Sequence, residues 1–384
     1  MWRHIAANAL TVFIVALVAL AGLIGWGQAQ YRGEGPLETA TCLRVPSGSS
    51  MADVAEDLTA QGAISNATIY RLGADYGGRN AFLKAGSFLI EPGASMEEIV
   101  GVVTGDGRST CGTEVIYVVS VNGQEMRVRE LDPETQDFEI TAEYDPKETE
   151  APAQMAAALD DVGTQFRVVL AEGVTSWQVV EALNGTDLLT GEIADIPAEG
   201  SLAPRDYPFL PGADRGEILA EMAEVQSTRL AEAWDNRVEG LPVETPEEAL
   251  ILASIIEKET GVAEERRKVA SVFVNRLNLG MRLQTDPTVI YGVTEGKGVL
   301  GRGLRQSELR RETPWNTYVI EGLPPTPIAN PGLESIEAAL DPEATDLIYF
   351  VADGTGGHAF AKTLDEHNAN VAKWREIEAE RAKQ

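Results

Sequence analysis

Thr245-Pro-Glu-Glu-Ala-Leu-Ile-Leu-Ala-Ser-Ile-Ile-Glu-Lys-Glu-Thr260 is the stretch on which the reading of the chain turns. Thr245 stands at an N-cap position, Pro246 at the first helical position and Glu248 three residues after the cap, the arrangement of a capping box. From Ala249 to Ile256 only Ser254 is polar, so the helix reads as buried nearly all round. Glu257 then arrives near its C-terminal end. In a dry environment the charged form of a carboxyl is disfavoured, which is how a glutamic acid is kept protonated as a general acid near neutral pH. The plainer reading of such a residue is a helix-end carboxylate paired with Lys258 or another cation.

Working outward from this helix, the pattern is α+β. Gly212 to Val238 is helical, with Ile218, Met222 and Leu230 on the apolar side, and Ala263 to Leu279 forms a helix that stops at Gly280 as a C′ glycine. Leu347 to Ala352 and His358 to Lys362 read as a hairpin, and residues 365–381 as a final amphipathic helix. The Gly354-Thr-Gly-Gly357 turn lies between two strands with no helix after it, so it reads as a hairpin turn rather than a phosphate loop.

Upstream, one plan recurs three times. Val45-Pro-Ser-Gly-Ser-Ser-Met-Ala-Asp-Val54, Ile90-Glu-Pro-Gly-Ala-Ser-Met-Glu-Glu-Ile99 and Leu170-Ala-Glu-Gly-Val-Thr-Ser-Trp-Gln-Val179 each read as strand, glycine turn, capped helix. The pairs Ser50/Asp53, Ser95/Glu98 and Thr175/Gln178 supply the caps. Such small strand-helix units resemble LysM-like glycan-binding modules, and they equally suit ordinary α+β packing without a ligand. Between the second and third copies, Glu114 to Val121 and Gln124 to Arg129 read as a hairpin closed by a type I′ turn at Asn122-Gly123. Glu125 to Glu150 carries ten acidic against three basic residues, which reads as a solvated, mobile insertion.

Charge and composition exclude several classes. With 31 Lys plus Arg against 60 Asp plus Glu, the net charge of -29 speaks against nucleic acid as a partner. Only His4, His358 and His367 are present, beside Cys42 and Cys111, so a His- or Cys-based metal site has almost no ligands, and no cofactor is expected. The two cysteines could pair in an oxidising compartment, a geometry the sequence leaves open. Ala9 to Trp26 contains one polar side chain, Thr11, and follows Arg3 and His4. That reads as a membrane span with a cytoplasmic N-terminus rather than a cleaved signal peptide, Trp26 and Tyr31 marking its far interface.

After the Glu257 helix come stretches that read as irregular and polar: Gln284-Thr-Asp-Pro-Thr288 before Val289-Ile-Tyr-Gly292, then Trp315-Asn-Thr-Tyr318 and Pro327-Ile-Ala-Asn-Pro-Gly332. Amides and hydroxyls on loops pair with sugar hydroxyl and acetamido groups, and aromatic faces stack on pyranose rings. Gln284, Asp286, Tyr291, Asn316, Tyr318 and Asn330 are therefore candidate substrate-binding residues, although Asp286-Pro287 and Asn330-Pro331 serve equally well as turn formers.

These motifs, in this order and together with Lys268 to Leu277, Gly280 to Gly292, Gly322 to Pro325 and Phe350 through Asn368, closely resemble the YceG-like endolytic murein transglycosylases over residues 40–375. The resemblance implies a tail at 1–8, a transmembrane helix at 9–28, a LysM-like α+β subdomain at 38–105, the acidic insertion with its hairpin at 106–165, and a mixed α+β catalytic domain at 166–384. It implies an inner-membrane, single-pass protein with its catalytic part in the periplasm. Its substrate would be peptidoglycan glycan strands, cleaved at the β-1,4 bond between N-acetylmuramic acid and N-acetylglucosamine to leave 1,6-anhydro ends. Termination of nascent strands beside peptidoglycan synthases is implied as well. Glu257, the first Glu of Glu-Lys-Glu-Thr, maps onto the family's catalytic acid. Pro204-Arg-Asp-Tyr207 departs from the family's Pro-Asp-Thr-Tyr-like motif, with Arg205 in its second position. Glu259, two residues on, points away from Glu257 on a helix and reads as structural. A second acid across the cleft, Glu264 being one candidate, would make the site a water-using muramidase; a non-catalytic wall-binding scaffold is the remaining alternative.

Overall fold

The computed structural model describes residues 2–105, 110–161 and 163–381. Residue 1 of the tail, residues 106–109 and 162 of the acidic insertion and residues 382–384 lie outside the described residues. The chain divides into two compact units, one of residues 1–115, 127–144 and 150–166, the other of residues 116–126, 145–149 and 167–384.

The first unit begins with helix α1 (Trp2–Arg32), which contains one segment, Leu10–Arg32, long and apolar enough to cross a membrane. The helix runs past the expected end of the span at residue 28, since Gln28, Ala29 and Gln30 are good helix formers. β1 (Thr41–Val45), α2 (Met51–Ala60), α3 (Ala67–Tyr76), β2 (Gly86–Ile90) and α4 (Met96–Val103) follow. β1 and β2 pair antiparallel, Thr41 opposite Ile90 and Val45 opposite Gly86. Leu43, Leu58, Tyr70, Phe88 and Ile99 form the core between strands and helices. Both capping boxes form as expected, and Gly48 and Gly93 take φ of 85° and 71°, the left-handed region that favours glycine.

Cys42 and Cys111 are disulfide-bonded, with Cα atoms 5.8 Å apart. The bond links β1 to a segment 69 residues away, closing a long loop of the unfolded chain. Reduction is expected to destabilise this unit by about 2–4 kcal/mol. Denaturant melts with and without reductant, repeated on a Cys42→Ser, Cys111→Ser double variant that reductant should not affect, measure it.

Strands β3 (Thr113–Ser120), β4 (Gly123–Leu131), β5 (Phe138–Tyr144), β6 (Gln165–Leu170) and β7 (Asp206–Phe209) make a five-stranded sheet in the order β5-β4-β3-β6-β7. The expected hairpin is β3–β4, but its turn is Val121-Asn122, neither at positive φ, so it is not type I′. Gly123, at φ 151°, absorbs the twist instead. The acidic insertion is more ordered than its charge implied. Phe138-Glu-Ile-Thr-Ala-Glu-Tyr144 alternates apolar and polar residues, a strand period that the charge count hid, and β5 takes the sheet edge with most of its residues exposed. α5 (Ala153–Asp160) follows it.

In the second unit, α6 (Ser176–Asn184) carries the third capping box, Thr175 with Gln178. α7 (Arg215–Asp235) starts at Asp214, whose carboxylate accepts from the Gly216 and Glu217 N–H groups. α8 (Pro246–Glu259), α9 (Arg266–Asn278), α10 (Asp286–Thr294), α11 (Gln306–Leu309) and α12 (Leu333–Leu340) come next. Gly280 takes φ 65° after α9, as a C′ glycine should. Thr285 to Gly292 is not irregular. Asp286 and Pro287 open α10, proline being well suited to the first turn because it has no N–H to leave unpaired. β8 (Tyr349–Ala352) and β9 (His358–Ala361) form the expected antiparallel hairpin, and α13 (Leu364–Arg381) packs on it. None of its residues is fully buried, but His367, Asn370, Val371, Trp374 and Ile377 form a half-buried stripe along an otherwise exposed helix, with Ile377 against Gly354 of the hairpin turn. Ala253, Ile256, Phe273, Ile328 and Ile336 lie in the core where α8, α9 and α12 meet.

Candidate active site

The core helix α8 ends in the charged run Glu257-Lys258-Glu259. Thr245 caps its start by accepting the Glu248 N–H at 3.2 Å, while Glu248 reaches back to the Glu244 N–H at 2.6 Å rather than to the cap itself. Ala249 through Ile256 are all buried. Ser254, the polar exception, donates to the Ile251 carbonyl (2.7 Å) and accepts the Ile328 N–H (3.0 Å), tying α8 to the segment that leads into α12. Glu257 is half-buried rather than enclosed, and its Oε2 accepts the Gly332 N–H at 3.0 Å. One carboxylate oxygen is thus held in place by the N-cap residue of α12.

Gly173, at the turn from β6 into α6, lies on the other side. A Cβ there would stand 3.7 Å from Glu257 Cγ and 3.4 Å from Lys258 Cδ, and the glycine's φ is 76°. Its carbonyl accepts from Lys258 Nζ (3.1 Å), and its N–H donates to the Asn330 carbonyl (3.0 Å). The third copy of the repeat therefore supplies a wall of the site. Where the first two copies have Ser47 and Pro92, this one has Glu172.

Glu172 was not among the residues expected here. Its carboxylate is set so close to Gly332 that a Cβ on that glycine would collide with it. Although the residue as a whole is exposed, partial burial of the carboxyl pushes its pKa above the ordinary value, with the nearby Glu257 adding to the rise and Arg266 opposing it. Two acids thus flank Gly332. Gly332 has φ -69°, which any residue adopts, so its value lies in the missing side chain. Gly332→Ala is expected to leave stability nearly unchanged, since only the far end of a flexible Glu must move. It should cost about tenfold or more in turnover through misplacement of the two carboxylates. Thermal melts beside rate measurements separate the two effects.

Glu199 is a third acid that sequence reasoning passed over. It accepts the Ser176 N–H (2.8 Å) and the Tyr291 hydroxyl (3.2 Å), and burial pushes its carboxyl up. Tyr291 packs its ring edge-on against Trp315, centroids 5.5 Å apart. A groove of about 530 Å³ lined by Arg229, Arg266, Leu333 and Glu334 runs along α12. Glu257 is not part of its lining.

The remaining candidates fall into two sets. Gln284 is exposed at φ 49°, and Asp286 accepts the Tyr318 hydroxyl at 2.7 Å. Next to them Thr285 donates its hydroxyl to Glu259, whose carboxyl is pushed up by burial. Glu259 thus has a structural partner, as its position on the helix implied. Asn316 and Asn330 are fully buried, with their amides engaged by the protein. Asn316 Nδ2 donates to the Arg311 carbonyl (2.7 Å) and its Oδ1 accepts the Tyr318 N–H (3.0 Å). Asn330 Oδ1 accepts the Leu202 N–H (2.9 Å), and its Nδ2 donates to the Val174 carbonyl (3.0 Å), so it clamps the Gly173 turn. Arg205 pairs with Glu221 (2.5 Å) and lies over the Tyr207 ring. Among the described residues no group of His, Cys, Asp and Glu could hold a metal ion.

The chain matches the YceG-like family over residues 125–373. It is 30% identical over 340 residues to an endolytic murein transglycosylase of Bacillus subtilis (strain 168), covering 88% of this chain and 85% of that one. An endolytic murein transglycosylase of Streptococcus pneumoniae (strain D39) is 32% identical over 182 residues, covering 46% of this chain and 32% of its own length. A solved YceG-like protein of Listeria monocytogenes aligns with a TM-score of 0.42 at 30% identity, over 86% of this chain and 99% of that one. An α+β protein with a carboxylate cluster at the end of a buried helix is the class that fold and site define. The chain belongs to the YceG-like family.

Proposed function

We propose that the protein is an endolytic murein transglycosylase in which Glu257 is the acid and base. The observation that carries this is the placement of Glu257, half-buried at the end of α8, with one oxygen on the Gly332 N–H. The family relationship supplies the substrate class: relatives 30% and 32% identical are named for murein. Protonated Glu257 donates to the glycosidic oxygen as an oxocarbenium-like state develops at C1 of the muramoyl residue. As carboxylate it then takes the proton of the muramoyl 6-hydroxyl, whose oxygen bonds to C1 and closes the 1,6-anhydro ring. The proton count balances, and no water enters.

Glu172, anionic near the same centre, stabilises the developing positive charge. Gln284, Asp286 and Tyr318 form an exposed edge suited to sugar hydroxyls, and Tyr291 and Trp315 an aromatic one. Asn316 and Asn330 act from beneath by holding the loops. α1 anchors the protein in the cytoplasmic membrane, with the N-terminus inside and the site in the periplasm. Residues 38–105 are a LysM-like wall-glycan module, and peptidoglycan synthases are the natural neighbours of an enzyme that ends nascent strands.

Glu172 also favours a second reading. With two carboxyls near one bond, Glu172 could activate water and the enzyme would be a muramidase. Mass spectra of the products decide, because anhydro ends are lighter by one water than hydrolytic ends. Intact strands after incubation with the wild-type protein would leave only the scaffold reading.

A further inference from the structure

A face of the first unit is apolar, exposed and placed beside the end of α1. On α3, Leu72 is 64% exposed and Tyr76, one turn on, 93%; Phe82, just beyond, is 57% exposed. Arg71, Arg79 and Lys84 are exposed around them, a basic cluster in a chain of net charge -29. Asp75, the acid among them, is held by Asn80 Nδ2 at 3.0 Å.

The position of this face along α1 decides what it meets. The Tyr31 ring, in the last turn of α1, packs onto Gly73 so closely that a Cβ there would collide with it. A Cβ built on Gly22, Gly25 or Gly27 would meet nothing within 4 Å, so this packing belongs to the last turn of the helix. Within the first unit, α3 therefore packs on α1 at Tyr31, near the end of the apolar segment Leu10–Arg32. Leu72 and Tyr76 are neighbours of Gly73 on α3.

We propose that Leu72, Tyr76 and Phe82 dock into the rim of the bilayer from which α1 emerges, with Arg71, Arg79 and Lys84 on anionic headgroups. This rests on the reading of α1 as a membrane anchor. Aromatic rings with polar tips and arginines beside them suit the headgroup level, where an apolar body is buried and the polar end stays wet. The protein is then held by a span and a surface, which fixes how the first unit is oriented on the membrane.

The full chain, reconstituted in vesicles of phosphatidylglycerol and phosphatidylethanolamine with a phospholipid carrying a diazirine near the glycerol, tests this by mass spectrometry of the photoadducts. Adducts are expected on peptides from residues 10–31 and 70–84, and not on α7. A Leu72→Ser, Tyr76→Ser, Phe82→Ser variant should lose the adducts on 70–84 and keep those on 10–31. Adducts on 10–31 alone overturn the proposal while leaving the anchor intact; adducts on neither overturn the anchor and the proposal with it. Protection of 70–84 from hydrogen exchange without lipid adducts marks a protein-protein face and also overturns it.

Discussion

Glu257→Gln is expected to abolish strand cleavage, by at least about 10³-fold, without a matching loss of stability. The amide is nearly isosteric and can still accept the Gly332 N–H through its oxygen, so the contact that places the side chain survives. What disappears is the proton. Without it the leaving oxygen departs as an alkoxide and nothing receives the 6-hydroxyl proton, so both halves of the reaction lose their catalyst. The measurement is turnover on purified glycan strands beside a thermal melt. Wild-type rates in a folded Glu257→Gln protein would sink the assignment; loss of rate with loss of fold calls for Glu257→Asp, which keeps the acid while retracting it from its position.

Glu172→Gln carries the second large effect, a loss on the order of 10² in turnover, comparable to removing one charge-stabilising group from an active site. Its pH signature is specific. Because burial and then Glu257 raise the Glu172 carboxyl above the ordinary value, it becomes protonated at a higher pH than a free glutamate would. A group needed as an anion loses its effect as pH falls through its titration, so the acid limb of the wild-type profile should lie above the ordinary carboxyl range. In Glu172→Gln that limb should shift or vanish. The products separate the two chemistries: a transglycosylase keeps its anhydro ends at reduced rate, whereas a muramidase loses water-derived ends. An unchanged pH profile and rate would leave Glu172 without a role in either.

Much of the local structure was legible because it is set by short-range effects. A side-chain oxygen three residues from a free N–H forms a cap in almost any context, and all three repeats bear this out. The buried run from Ala249 to Ile256 had to find a core, and did. Charge misled in the insertion, where a composition suited to a solvated segment masked the alternation of β5. Proline misled at Asp286-Pro287, since the same residue that ends a helix also opens one.

The site was legible only in part. Asn330 and Asn316 stood out as polar residues on loops, yet sequence alone does not say whether an amide faces solvent or backbone; here both are buried and bonded to the protein. Glu172 had one faint signal, its replacement of Ser47 and Pro92 in the repeat, and that signal had no direction until the turn was seen against Glu257. By itself the sequence determined the capped helices, the apolar segment of α1 and the candidate acid at the end of α8, since each depends on neighbours within a few residues. Only the tertiary structure decided that Gly332 stands between Glu172 and Glu257, because residues 172, 257 and 332 meet through packing of distant elements and a glycine's missing side chain matters only when another chain segment fills the space.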